Sequence, residues 1–410
     1  MKKLLLVLLI LSLFINHLNA NEKDLQIIQK DKKEYRLLDK ESIQTRQQSQ
    51  KYDWISPIDL SGNIGRNHSF SDENSRNLNN KNTKSASIGF TQSIFESGGI
   101  GFKMDYADNR FKYEMLSWEN QNSQLIYTIY NTLLDIKKLK LEINQNDYRI
   151  VNKDIELIIK KIQYEAGKAD IIELNNAIMS KNLILKEEIA LKNSLKEKEQ
   201  ELAKYTDLKY DEIEILDFQE TNKDIFLDKN YSILEADAKV EMLNSEYKIK
   251  KSQYLPKLSL SAKASYSTQD EKFNSMINDT NKDDATSSGS LILSMPLYDY
   301  TKSSKIQESK IEVLKQKALV NDLKNETAFE YEQIFTKIDT YLKQNETINK
   351  NIKLYEELIG ANKISSEAGM TSKYDLEILE NTKTINEFDI LINKINILQQ
   401  YAKLYFKIKN

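Results

Sequence analysis

The sequence predicts a mainly α protein with a smaller β part, built from two copies of one structural unit. Three observations predict this class. The chain repeats itself at an offset of 199 to 203 residues, four short segments alternate apolar and polar residues, and two long segments contain no proline. Internal repeats carry the most weight, since a missed repeat leads to a wrong architecture.

The duplication appears in three pairs of segments. They are ISPIDLSGNIG around Pro57 with YLPKLSLSAKA around Pro256, SIFESG from Ser93 with PLYDYT from Pro296, and EAGKADIIEL from Glu165 with EAGMTSKYDL from Glu367. Each half therefore has the same order of parts: strand, loop, strand, long segment, EAG turn, long segment. The three prolines all lie at the ends of predicted strands, as proline usually does.

The strand segments alternate with a period of two, which is typical of a sheet with one apolar and one polar face. The clearest segment starts at Leu258, and the others lie at 58–70, 86–94 and 289–297. A half-buried sheet of a soluble protein alternates in the same way. Two features favour a membrane barrel: the polar faces consist mostly of small residues, and the predicted hairpin tips, Ser71 to Lys84 and Thr268 to Thr286, are long and polar.

Four strands are too few to enclose water, because even an eight-stranded barrel is largely filled by its own side chains. The small polar faces therefore predict closure by several copies of the chain. A trimer would supply twelve strands.

The long segments predict antiparallel coiled-coil hairpins. Apolar residues recur at steps of three, four or seven, the spacing of a helical seam. They are Ile126, Ile129, Leu133, Ile136, Ile143 and Ile150 before the first EAG turn, Leu174, Ile178, Leu185, Ile189, Leu195 and Leu202 after it, and Ile378, Ile385, Phe388, Ile392 and Ile395 in the second half. A helix of about 60 residues is about 90 Å long. The charged positions between them fit either an outer solvated face or the wall of a water-filled tube.

Composition narrows the function classes. The first 20 residues have the layout of a cleaved secretory signal. Two of the 59 basic residues lie in it, which leaves 57 against 62 acidic residues, so no polybasic surface for nucleic acid is expected. The chain has no cysteine, and its only histidines are His17 and His68. No zinc site, Ser-His-Asp triad or cofactor is therefore expected.

The junction KKSQYLPKLSLSA from Lys250, the PLYDY turn at Pro296 and the two EAG turns resemble the TolC-like outer membrane efflux protein family. The resemblance covers almost the whole mature chain. It implies a homotrimer with a twelve-stranded β-barrel in outer membrane lipid, continuous with an α-helical barrel in the periplasm. The implied function is the passive exit duct of a tripartite efflux or type I secretion system. Its partners would be a periplasmic adaptor (membrane fusion) protein and an inner-membrane pump that supplies the energy.

The resemblance also assigns candidate site residues. Gly167 and Gly369 match the turns where the adaptor docks, although glycine also suits any tight turn. Glu173 and Asp375 match acidic positions at the periplasmic entrance, where rings of carboxylates would favour cations and would pair with bases such as Lys373. Both acids equally fit a solvated helix face. Ile378 replaces a second aspartate found in some relatives, so the cation ring departs from the family pattern.

The predicted organisation has seven parts. They are the signal peptide (1–20), an N-terminal periplasmic segment (21–56), the first membrane hairpin (57–98), the first helical hairpin (99–208), an equatorial linker and helix (209–255), the second membrane hairpin (256–298) and the second helical hairpin (299–410). The alternative is a periplasmic coiled-coil adaptor or scaffold that does not enter the membrane. A secreted enzyme with paired carboxylates is a more distant alternative, because no pocket motif supports it. The transported cargo, whether drugs, metals or protein, is left open.

Overall fold

The computed structural model describes residues 25–69, 79–216, 218, 220–270, 282–367 and 371–409. The signal peptide predicted at 1–20 lies outside this range. After a short 3₁₀ turn at Leu25–Ile27, the elements in chain order are α1 (Lys30–Tyr52), β1 (Asp59–Ser69), β2 (Asn79–Phe95), α2 (Gly99–Glu165), α3 (Ile171–Leu202), α4 (Lys223–Asp228), α5 (Tyr231–Ser252), β3 (Lys257–Asp270), β4 (Lys282–Ser294), α6 (Lys302–Glu367) and α7 (Lys373–Phe406).

The predicted class, mainly α with four short strands, is confirmed. The two long helices α2 and α6 contain 67 and 66 residues. At 1.5 Å per residue each is about 100 Å long. Among the described residues, no helix has a stretch both long enough and apolar enough to cross a membrane.

The chain divides into two compact units. The helical unit comprises Met1–Lys40, Leu116–Glu235 and Asn321–Asn410, and the strand unit comprises Glu41–Met115 and Ala236–Val320. Each unit draws segments from both repeats.

The strand unit contains one antiparallel sheet in the order β1-β2-β3-β4. The hairpins β1-β2 and β3-β4 come from the two repeats, and β2 pairs with β3 from Asn82↔Asp270 to Phe95↔Leu258, with one bulge near Ser93. The outer edges of β1 and β4 pair with no other strand in the described part of the chain.

The register separates the two faces of the sheet as the alternation predicts. Hydroxyl side chains meet across the polar face, where Ser61 and Ser87 lie 2.8 Å apart and Ser265 and Thr286 lie 2.7 Å apart. The opposite face is apolar and exposed: Leu60 is 80% exposed and Leu293 is 73% exposed. A soluble protein rarely leaves so continuous an apolar face in water.

The strands are longer than their apolar residues indicate. The predicted polar tips began at Ser71 and Thr268, but the structure places Asn79–Lys84, Thr268–Asp270 and Lys282–Thr286 in strands. Backbone hydrogen bonds between neighbouring strands do not depend on side-chain polarity, so the ladder continues past the apolar part. The rest of both predicted tips lies outside the described residues.

A hydrophobic core of the helical unit lies where α4, α6 and the C-terminal segment meet. Phe226 of α4 packs with Ile334 and Ile338 of α6 and with Leu404 and Ile408 near the C-terminus. The C-terminal part of α7 also contributes to an aromatic group, in which the rings of Phe406 and Tyr130 stack at 5.5 Å between centroids.

Main-chain and charged contacts hold the C-terminal segment in place. The Tyr231 amide donates to the Lys407 carbonyl at 3.0 Å, and the Lys409 amide donates to the Lys229 carbonyl at 2.8 Å. The Glu330 carboxylate accepts from Lys403 at 2.8 Å and from Lys407 at 2.6 Å. Burial alone would raise the pKa of Glu330, but these two ammonium groups outweigh it and hold that pKa below its ordinary value.

The predicted helical seam is only partly buried in one chain. Ile129, Leu133 and Ile136 of α2 are fully buried, as predicted. Ile178 and Ile189 of α3 are instead exposed, so no other described element covers that side of α3.

Candidate functional site

The candidate site is the pair of turns that join α2 to α3 and α6 to α7. At the first turn the amides of Ala166 and Gly167 donate to carbonyls of the last turn of α2, both at 3.0 Å. Gly167 has a φ of +67°, a conformation that favours glycine, and a Cβ built on it would touch nothing within 4 Å. The turn therefore presents bare, exposed backbone at its tip.

Helix α3 begins with a side-chain cap. The Asp170 carboxylate accepts from the Glu173 amide at 2.8 Å, which satisfies one of the unpaired amides at the helix start. This contact fixes the direction in which the Glu173 side chain leaves the backbone.

Glu173 forms an ion pair across the turn. Its Oε2 lies 2.6 Å from Nζ of Lys160 on α2, and both side chains are about half exposed. The pair borders an open groove between α2 and α3, lined in addition by Glu156, Ile159, Asn176, Ala177 and Ser180. The ion pair joins the two helices of the hairpin close to its tip.

Of the second turn, only the part that leads into α7 is described. Gly369 lies outside the described residues, so its predicted role stays a prediction. Helix α7 begins with Ser372, whose hydroxyl accepts from the Tyr374 amide at 3.2 Å. Lys373 and Asp375 are both exposed, and neither forms an ion pair with any other described residue of the chain.

The repeat explains this difference. At the offset of 202 residues Glu173 corresponds to Asp375, whereas Lys160 corresponds to Asn362, which has no charge. The Asn362 amide group donates to the Leu358 carbonyl of its own helix at 3.1 Å. An ion pair therefore joins the two helices of the first hairpin near its tip, whereas the Asp375 carboxylate of the second hairpin has no partner among the described residues.

Sequence reasoning missed Lys160 as a partner of Glu173. A signal was present: Lys160 precedes Gly167 by seven residues and Glu173 follows it by six, so the two are nearly symmetric about the turn. Opposite charges so placed face each other across an antiparallel hairpin.

One further acid of the helical unit is electrostatically unusual. Burial raises the pKa of Glu142 on α2 above its ordinary value, and Asp135 adds to the rise while Lys138 opposes it. Among the described residues, no group of three or more histidine, cysteine or acidic side chains is arranged to hold a metal ion.

Comparison with known proteins agrees with this architecture. Residues 224–403 match the family model described as outer membrane efflux protein. The second half of the chain thus carries an efflux-protein domain. The predicted resemblance to the TolC-like outer membrane efflux protein family is confirmed, and so is the predicted location, the cell outer membrane with the helical part in the periplasm.

Solved structures of outer membrane channels have the same fold as this chain over almost its whole length. The outer membrane protein VceC of Vibrio cholerae matches with a TM-score of 0.73 at 12% identity, over 94% of this chain and 93% of that one. The CmeC outer membrane channel of Campylobacter jejuni matches at 0.70 and 13%, over 93% and 86%. The MtrE channel of Neisseria gonorrhoeae, crystallised in its open state, matches at 0.69 and 12%, over 94% and 88%. The matched family and structures are channels, not enzymes. No curated protein matches the sequence.

Proposed function

We propose that the chain is the exit duct of a tripartite efflux or type I secretion system, a passive homotrimeric channel energised by an inner-membrane transporter. One observation carries the proposal: the four-stranded sheet has an exposed apolar face, a hydroxyl-rich face and two edges that pair with no other described strand. Unpaired edge strands promote association with other chains, and closure into a barrel removes them.

The two faces fit lipid outside and water inside. Leu60, Ile64, Leu291 and Leu293 are each at least two-thirds exposed on one face and would contact outer membrane lipid. Serine and threonine on the other face would line the lumen. Three copies would join β4 of one chain to β1 of the next and give twelve strands, which leave a lumen wide enough for water.

The helical hairpins supply the periplasmic part of this duct. Helices of about 100 Å are far longer than a globular core requires. A second copy would also cover the exposed residues Ile178 and Ile189 of α3, which the single chain leaves in water.

The two turns form the entrance in this proposal. Asp375 has no partner within the described chain, so three copies would present a ring of carboxylates that attracts cations. Glu173 is already paired with Lys160, so its ring is partly neutralised. Lys373 remains available to pair with an acid of a neighbouring copy. The bare turn at Gly167, and its counterpart at Gly369, would receive the periplasmic adaptor.

The closure of the sheet is tested with introduced cysteines, since the chain has none of its own. Asn63→Cys in β1 is combined in turn with Thr286→Cys, Ser288→Cys and Ser290→Cys in β4, and the purified protein is oxidised. At least one combination should give a covalent trimer on a denaturing gel. Ser87→Cys with Ser265→Cys is the matched control, because these residues face each other within one chain and should leave a monomer.

If none of the combinations links two chains, closure by several copies is rejected. A protein that stays monomeric and water-soluble would favour the alternative, a periplasmic coiled-coil adaptor or scaffold.

A further inference from the structure

The polar face of the sheet carries one charged side chain in its centre. From Ser93 to Ser85 on β2 and from Ser259 to Ser267 on β3, every residue on this face is serine, threonine or glycine except Lys263. The rows on either side of Lys263 contain only hydroxyl side chains on these two strands. Lys263 is exposed and forms no ion pair with another described residue.

The neighbouring strand makes room for this lysine. Gly89 lies directly opposite Lys263, and a Cβ built on Gly89 would lie 3.3 Å from both Cβ and Cγ of Lys263 and 3.0 Å from the Ala262 carbonyl oxygen. The stem of Lys263 therefore lies against the bare backbone of Gly89. Any larger residue at position 89 would displace it.

Other charges on this face lie away from the centre. Asp59 occupies the same row on the edge strand β1, beyond Gly89. Asp284 on β4 lies two rows away, and Lys257 at the start of β3 lies three rows away. The carboxylate of Asp59 is held close to the wall by its short side chain. The four-carbon stem of lysine carries its compact charge further from the backbone.

We propose that Lys263 is a specificity-determining residue of the duct, which favours the passage of anionic solutes through the strand-lined part. The inference rests on the proposed function, in which the polar face lines the lumen. A trimer places three such ammonium groups at one level. A unit charge about 7 Å from a passing ion in water changes the local concentration of that ion about threefold.

The absence of native cysteine allows the charge to be changed after assembly. Lys263→Cys channels are incorporated in planar bilayers and treated with a methanethiosulfonate reagent that adds either a cationic ammonium or an anionic sulfonate group. The chloride-to-potassium permeability ratio is measured in a salt gradient. The measurement is repeated in the Asp375→Ala background. This change removes the proposed entrance carboxylate, which an ion passes on the same path as Lys263.

The cationic adduct should restore the ratio of the native channel, and the anionic adduct should lower it at least threefold. Lys84→Cys is the matched control, because Lys84 lies on β2 with its side chain on the opposite face of the same sheet. Both of its adducts should leave the ratio unchanged.

The outcomes separate the two proposals. If complete modification of Lys263→Cys, verified by mass, leaves the ratio of a conducting channel unchanged, the role of Lys263 is rejected and the duct stands. An equal shift from Lys84→Cys would also reject it, because the polar face would then not be the conducting one. A protein that forms no channel would overturn the proposed function and this inference together.

Discussion

Phe226 should anchor the short helix α4 and the C-terminal segment, and its truncation should release both. A helix of six residues is not stable by itself, so its packing must hold it. Phe226 is completely buried, it packs in the cluster with Ile334 and Leu404, and its ring centroid lies 5.6 Å from that of Tyr331. Truncation of a buried phenylalanine to alanine costs about 3–5 kcal/mol.

This loss of packing free energy should shift the equilibrium between the closed and the locally opened state of the segment. Since each 1.4 kcal/mol is a factor of ten, Phe226→Ala should raise the opening equilibrium of residues 221–235 and of the C-terminal segment by about two to three and a half orders of magnitude. Hydrogen exchange followed by mass spectrometry measures this opening in the assembled protein. The matched control is Ile225→Ala on the same helix, where the side chain is 48% exposed. It should change exchange by less than about tenfold. Equal exchange in the two variants would refute the anchoring role of Phe226.

Three further predictions concern the turns and the C-terminal segment. Asp375→Ala should lower the preference of the channel for potassium more than Glu173→Ala does, without loss of the trimer, because only Glu173 has a lysine partner. Equal or absent effects in single-channel recording would show that neither residue acts at the entrance. The pKa of Glu330 is lowered in the folded state, so its stabilisation is full above the unfolded value of about 4.5 and is lost as the pH falls through the folded pKa. After correction for the intrinsic pH dependence of exchange, the protection of the C-terminal amides should therefore fall below about pH 4.5 in the native protein and lose that dependence in Glu330→Gln, whereas an unchanged profile would contradict this assignment. Finally, asparagine tolerates a positive φ better than valine, so Gly167→Asn should keep the turn, whereas Gly167→Val should strain it. If both variants lose adaptor binding, the adaptor recognises the bare backbone itself. If Gly167→Asn still binds the adaptor, Gly167 serves only to form the turn.

The repeat and the two periodicities were sufficient to predict the class, the four strands and the two helical hairpins. Apolar residues that recur every two positions share one face of a strand, and those that recur every three or four positions share one face of a helix. Both patterns can be recognised in this sequence although it is rich in polar residues. The strand ends were not predictable, because residues such as Asn79–Lys84 continue the ladder through backbone hydrogen bonds alone.

The spacing of apolar residues does not predict which polar side chains are buried by hydrogen bonding. The predicted N-terminal segment contains α1, whose Arg36 is buried because it donates to Asn122 at 2.6 Å, to Gln121 at 2.8 Å and to the Trp118 carbonyl at 2.9 Å. Gln145 of α2 is buried in the same manner by bonds to α7. An arginine or glutamine in a polar helix predicts a solvated side chain, and only the fold supplies its partners.

The candidate site was predictable in part. The EAG motifs located both turns, and Glu173 lies within three residues of the start of α3, where an acid is favoured by the helix dipole. Its partner Lys160 depends on how the two helices face each other, which a single sequence does not record. Lys263 was visible only as one polar residue in an alternating strand, and its isolation became apparent once the register placed four rows beside it, two on each side, whose β2 and β3 residues are uncharged.

The most direct test of the duct is planar-bilayer recording of the purified protein, with its mass determined in the same detergent. A trimeric channel should give discrete single-channel currents from a species with the mass of three chains. A water-soluble species of one chain that carries no current would contradict the channel function.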